Sequence, residues 1–156
     1  MNKKIAIIGV GNLLLGDEGF GIHVINKLKD CRLPENVKVY ECGTEALSLL
    51  NVLEGFEKAI VLDAVKLGGK PGTVYSFKLD EDELNDGLMK MLSLHELNFA
   101  IAIKIGKKVY KLPKEIIVIG VEPKAIKPSL HLTSEVKKSV SKVIHLILKE
   151  IKKSAI

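Results

Sequence analysis

The chain contains no tryptophan and no glutamine, four phenylalanines, three tyrosines, two cysteines, and a single arginine, Arg32, among 24 basic residues. Each shortage removes a class of function. Nucleic-acid readers rely on the planar fork of arginine and on aromatic rings set among basic residues. With one arginine and no cluster of rings among basic residues, the formal charge of +5 is no nucleic-acid footprint. Cys31 and Cys42 make neither a disulfide framework nor a zinc knuckle. No apolar run reaches the roughly 18 residues that cross a bilayer. The basic start Met1-Asn2-Lys3-Lys4 leads into a short, glycine-broken apolar run, which reads as a first strand and not as an export signal. The expected location is therefore the cytoplasm, without membrane insertion. Abundant lysine and glutamate with no glutamine suit a protein of a hot-living organism.

What is present is sufficient for one core. Of 156 residues, 47% are hydrophobic and 28% charged, which excludes disorder and sets the expectation of a single domain over residues 1–156. Ile5–Val10, Ala59–Val65 and Ile116–Val121 are short continuous apolar runs, the pattern of strands buried on both faces. Val37–Cys42 alternates as a strand. Helices are expected from about Glu18 to Asp30, over a short stretch capped by Thr44, from Asp80 to Asp86, from His95 to Ile105, and after a cap at Thr133. The turn at Leu67–Gly72 leaves too few residues for a parallel crossover, so the strand Thr73–Phe77 should run antiparallel to the one before it, at an edge. The result is an α/β three-layer sandwich. Its five-stranded, mostly parallel sheet has one antiparallel edge strand and helices on both faces.

Ligands of such sheets gather at the carboxyl ends of the parallel strands. There lie the glycine-rich loop Gly9–Gly21, the segment Glu41-Cys42-Gly43-Thr44, Asp63 and Glu122, while His95 opens the helix before the last strand. The loop is no dinucleotide fingerprint. Its glycines are spaced G-x-G-x-x-x-x-G, and Asp17 and Glu18 would repel a pyrophosphate at the helix start. No G-K-[ST] is present, so a P-loop is excluded. Asp63 within Ile60-Val61-Leu62-Asp63-Ala64-Val65 would be costly to bury without a partner. Glu18, Asp63 and His95 together make an open set of two carboxylates and an imidazole suited to a divalent transition metal. His23, His131 and His145 read as structural, with His131 placed to rim a cleft. Cys42 reads as a small buried hydrophobe.

Several segments in order resemble the hydrogenase maturation endopeptidase family. Gly11-Asn12-Leu13-Leu14-Leu15-Gly16-Asp17-Glu18-Gly19-Phe20-Gly21 is similar to the family's G-N-x-L-x-x-D-[DE]-G-x-G signature. Glu41-Cys42-Gly43-Thr44 resembles D-G-G-T, with Glu41 and Cys42 as departures. Val61-Leu62-Asp63-Ala64, Pro71-Gly72-Thr73, Ser93-Leu94-His95-Glu96-Leu97 and Gly120-Val121-Glu122-Pro123 resemble further family elements. The resemblance implies an endopeptidase that removes the C-terminal tail of a nickel-iron hydrogenase large-subunit precursor once nickel is inserted. It implies nickel recognition by Glu18, Asp63 and His95. The nickel is carried by the precursor and not stably bound, and Asp17 or Asp63 serves as a catalytic carboxylate. It also implies a twisted five-stranded mixed sheet. The chain lacks H-E-x-x-H and a serine or cysteine nucleophile motif, which disfavours a resident catalytic zinc or covalent catalysis. A non-catalytic chaperone binding nickel and precursor, and a nucleotide-binding α/β enzyme, are the alternative readings.

Overall fold

The computed structural model describes residues 2–79, 102–104 and 106–155. The helix expected at Asp80–Asp86 and most of that at His95–Ile105 lie outside the described residues. The strands are β1 (Ile5–Val10), β2 (Val37–Cys42), β3 (Lys58–Ala64), β4 (Val74–Lys78) and β5 (Glu115–Val121), in the spatial order β2-β1-β3-β5-β4. The pairs β1–β2, β1–β3 and β3–β5 are parallel, with Ile5 opposite both Val37 and Lys58, and Ala59 opposite Ile116. β4 lies at the edge, antiparallel to β5, as the short link at Leu67–Gly72 requires. That link turns at Gly72, whose φ of 88° is open to glycine.

Alternation along the strands sorts the core into two layers. Ile5, Ile7, Ile60, Leu62, Ile117 and Ile119 face one side of the sheet. There they meet Phe20, Val24, Ile25 and Leu28 of α1 (Phe20–Leu28) and the stripe of α3 (Ser134–Lys153). Ala6, Ile8, Ala59, Val61, Ile116 and Val118 face the other side, against Leu49, Leu50 and Leu53 of α2 (Ala46–Leu53) and against Ile103. Each fully buried Leu, Ile or Phe contributes about 1.5–3 kcal/mol, so both layers hold the sheet. The α3 stripe follows the expected 3.6-residue period through Val136, Val140, Val143, Ile147 and Ile151.

Two expected caps are built differently. Glu45, not Thr44, precedes α2, and it makes no side-chain cap. Thr133 does precede α3, but its hydroxyl donates to Asp17 and not to the helix. The first helix is also shorter than expected, because Gly16–Gly19 forms a separate 3-10 turn ahead of α1.

At the amino end of the sheet, Lys58 is 2% exposed. Its ammonium donates to Glu150 Oε2 at 3.0 Å, the Glu150 carbonyl at 3.2 Å and Ser154 Oγ at 3.1 Å, and lies 2.9 Å from Glu115 Oε1. It thereby clips β3, β5 and α3 together. Lys58→Ala strands two partly exposed carboxylates. Solvent moderates that loss, so about 2–3 kcal/mol of stability should disappear in a urea melt. The hydrogen bond from Lys58 holds Glu115 below its ordinary 4.5. Burial pushes Glu150 up, but the bonds from Lys58 and Lys153 outweigh it and leave that carboxyl low as well. Depressed carboxylates stabilise the fold above their unfolded pKa, and that stabilisation is lost as pH falls through the folded values. The wild type should therefore lose its advantage over Lys58→Ala progressively below about pH 4.5.

Candidate active site

The carboxyl end of the sheet is shaped by a close helix–strand approach. A Cβ on Gly21 would overlap the Leu62 carbonyl and lie 2.8 Å from Val10 N. The first turn of α1 is thus pressed against the ends of both β1 and β3. At Gly11, where φ is 136°, a Cβ would overlap the Glu18 carbonyl. These two glycines seat the 3-10 turn Gly16–Gly19 beside β3, and Glu18 comes to the same sheet end as Asp63.

Asp63, the penultimate residue of β3, is 4% exposed, and its Oδ1 accepts from Ala64 N at 2.9 Å. By alternation it continues the row Ala59–Val61 on the α2 side. Glu18 is half-buried. His95, the third residue expected at this site, lies outside the described residues. Among the described residues, no three His, Cys, Asp or Glu side chains come together to hold a metal ion.

Asp17, the other carboxylate expected at this site, is held by the loop after β5. It is 0% exposed and both its oxygens are engaged. Oδ2 accepts from the backbone of Lys124 at 2.9 Å and Ala125 at 3.0 Å, and Oδ1 from Thr133 N at 2.8 Å. The Thr133 hydroxyl adds a bond of 2.9 Å to Oδ2. Burial alone would raise this carboxyl, but the bonds from Ala125, Thr133 and Lys124 outweigh it and hold it below its ordinary 3.8. Asp17 thereby braces the first loop against the loop after β5, and the donors that hold it lie more than a hundred residues away in sequence.

Glu122 is a second brace. At 5% exposure its Oε1 accepts from Leu67 N, Gly69 N and the Tyr75 hydroxyl, at 2.8, 2.9 and 2.8 Å. It thereby ties the turn before β4 to the end of β5. Burial and this carboxylate both push the Tyr75 phenol above its ordinary 10. Cys42 sits in the apolar layer beneath α2, and burial raises its thiol. Glu41 is exposed and pairs with Lys29 at 3.3 Å. The first loop makes no phosphate cradle either. Gly16 N donates to the Ser129 carbonyl at 2.9 Å and Asp17 N to that of Ala125 at 3.1 Å, so donors a nucleotide would need are already spent.

The chain was compared with known proteins. The family model described as HycI, hydrogenase maturation protease, matches residues 22–150. A protein of Methanocaldococcus jannaschii under the same family designation is 40% identical over 158 residues, covering 97% of this chain and 98% of that one. Some relatives are longer. The chain spans 64% of a hydrogenase expression/formation protein of Bradyrhizobium diazoefficiens. Among solved structures, the hydrogenase 2 maturation peptidase of a Thaumarchaeota archaeon is 36% identical. It superposes with a TM-score of 0.74 over 96% of this chain and 98% of that one. The hydrogenase maturating endopeptidase HybD of E. coli is 25% identical and superposes with a TM-score of 0.83, over 97% and 93%.

Proposed function

The chain belongs to the hydrogenase maturation protease family, and on that premise we propose that it removes the C-terminal tail of a nickel-iron hydrogenase large-subunit precursor after nickel has been inserted. Membership makes it a peptidase acting in hydrogenase maturation. The finer reading concerns how it knows when to cut. Supporting it is the seating of Glu18 beside the end of β3, where Asp63 stands at the carboxyl end of a parallel sheet.

Carboxylate oxygens and an imidazole nitrogen suit a borderline divalent ion such as nickel. In this reading the nickel arrives as part of the substrate. Glu18, Asp63 and His95 recognise it and leave coordination positions for the precursor's own groups. Docking through the metal fixes the scissile peptide relative to the site, and such positioning supplies a large share of the rate. The attacking group is a water. Asp17 being spent on its loop, Asp63 is the carboxylate that takes the water's proton, and the departing amine is protonated as the peptide bond breaks. A tail that has not been brought in with nickel is held without registry and is cut slowly.

The test is a cleavage assay on a large-subunit precursor prepared with and without nickel, read by intact mass. Loss of the tail from the nickel-loaded form only is the expected result. Equal cleavage of both forms would overturn nickel recognition, and binding of the loaded precursor without any cleavage would select the chaperone reading.

A further inference from the structure

We propose that the pocket between α1 and α3, on the flank of the first loop, is a carboxylate-binding subsite that holds an acidic group of the peptide being processed. This assignment rests on the protease reading above and extends it to a place away from Glu18 and Asp63.

The pocket has a volume of about 400 Å³. His23 and Lys27 of α1, His131 of the loop before α3, and Lys137 and Ser141 of α3 supply its polar wall, and Val140 is part of its apolar lining. Among the described residues, no aspartate or glutamate lines it. Two lysines, two histidines and a serine therefore line one cavity, most of them exposed at its rim. The Nε2 of His23 is itself buried with no hydrogen-bond partner, the one such side-chain nitrogen or oxygen among the described residues. The sequence alone reads both histidines as structural, because α1 and the loop before α3 meet only in the folded chain.

A dication is the wrong guest. Two imidazoles are too few to hold it, no carboxylate assists, and two lysines repel it. An anion fits every group. A carboxylate seated among these residues is attracted by Lys27 and Lys137, and the Ser141 hydroxyl is a donor beside it. Burial first, and then His131, keep His23 below its ordinary 6.5 when the pocket holds no anion. Lys27, His131 and Lys137 line the pocket with it; an anion brought beside His23 favours its protonated form, so binding takes up a proton and tightens from pH 8 toward pH 6. The pocket also adjoins the site. A Cβ on Gly19, the residue after Glu18, would lie 3.5 Å from His23 Cδ2. An extended chain running from Glu18 past Gly19 reaches the pocket within a few residues.

The test follows the imidazole NMR resonances of the whole protein during separate titrations with acetate, inorganic phosphate, zinc ion, and a short Ala-Gly peptide with either a free or an amidated C-terminus. The free-acid peptide should shift His23 and His131 and bind about tenfold more tightly than its amide. The double variant Lys27→Gln/Lys137→Gln, altered at two exposed positions, should weaken that binding about tenfold while its melting temperature stays put. Equal binding of acid and amide, or no movement of His23, overturns the subsite. Phosphate binding as tightly as the peptide acid would assign the pocket to a free anion and overturn its peptide role. Saturable, stoichiometric zinc binding through both imidazoles would overturn it in favour of a metal. None of these readings depends on cleavage, so failure here is distinct from failure of the protease reading. In the cleavage assay, the double variant should raise KM with little change in kcat.

Discussion

Asp63→Asn is expected to slow removal of the tail on the order of 10³-fold and to leave the melting temperature close to that of the wild type. The two outcomes separate because of where the residue stands. It stands next to last in a strand whose core residues, Ala59 to Leu62, are untouched by the change. Asparagine is nearly isosteric and keeps the oxygen that accepts from Ala64 N. What it loses is the negative charge, the property needed both to meet a metal cation and to take a proton from water. Intact mass of the precursor after incubation measures the first outcome and a thermal melt the second. An asparagine variant that processes nickel-loaded precursor at the wild-type rate would sink the role given to Asp63.

Asp17→Ala should do the opposite and act first on stability. Three backbone N–H groups and one hydroxyl converge on its carboxylate, and the alanine variant leaves those donors in a buried site with nothing to accept them. The cost should be about 3–5 kcal/mol, or roughly 10 °C in melting temperature for a domain of this size. Asp17→Asn keeps one acceptor oxygen but turns an amide toward donors, and should lose about 2 kcal/mol. Since the folded carboxyl is held below its ordinary 3.8, its contribution is complete above the unfolded pKa and disappears as pH falls through the lower folded value. The gap between wild type and Asp17→Asn in urea melts should therefore be full at pH 7 and shrink below about pH 4. Any loss of cleavage in these variants should accompany loosening of the first loop and be partly restored on cooling. Full stability with abolished cleavage would instead return Asp17 to direct chemistry.

Much of this architecture was legible along the chain because its causes are local. Apolar runs such as Ile5–Val10 and Ile116–Val121 can only be strands buried on both faces, and both form as read, the second beginning one residue earlier. The short link at Leu67–Gly72 dictates the direction of β4 through chain length alone. The loop before α1 is legible as a motif, and its glycines have a steric reason visible only after folding. Gly21 lets the helix touch two strand ends, and Gly11 makes room for a carbonyl.

The polar residues divide differently. Residue type and spacing alone determined which carboxylates stand at strand ends, that Asp63 interrupts an apolar strand, and that the chain carries the motifs of its family. Tertiary structure decided what each of those carboxylates does. Asp17 and Glu18 are neighbours with similar chemistry, yet one is enclosed by donors from Lys124, Ala125 and Thr133 while the other is half-exposed beside β3. Lys58, His23 and Glu122 likewise take their partners from segments distant in sequence. A hydrophobic pattern records its own burial, because burial repeats with the period of the element. A hydrogen bond across the fold leaves no period behind, so its partners are decided only when the loops meet.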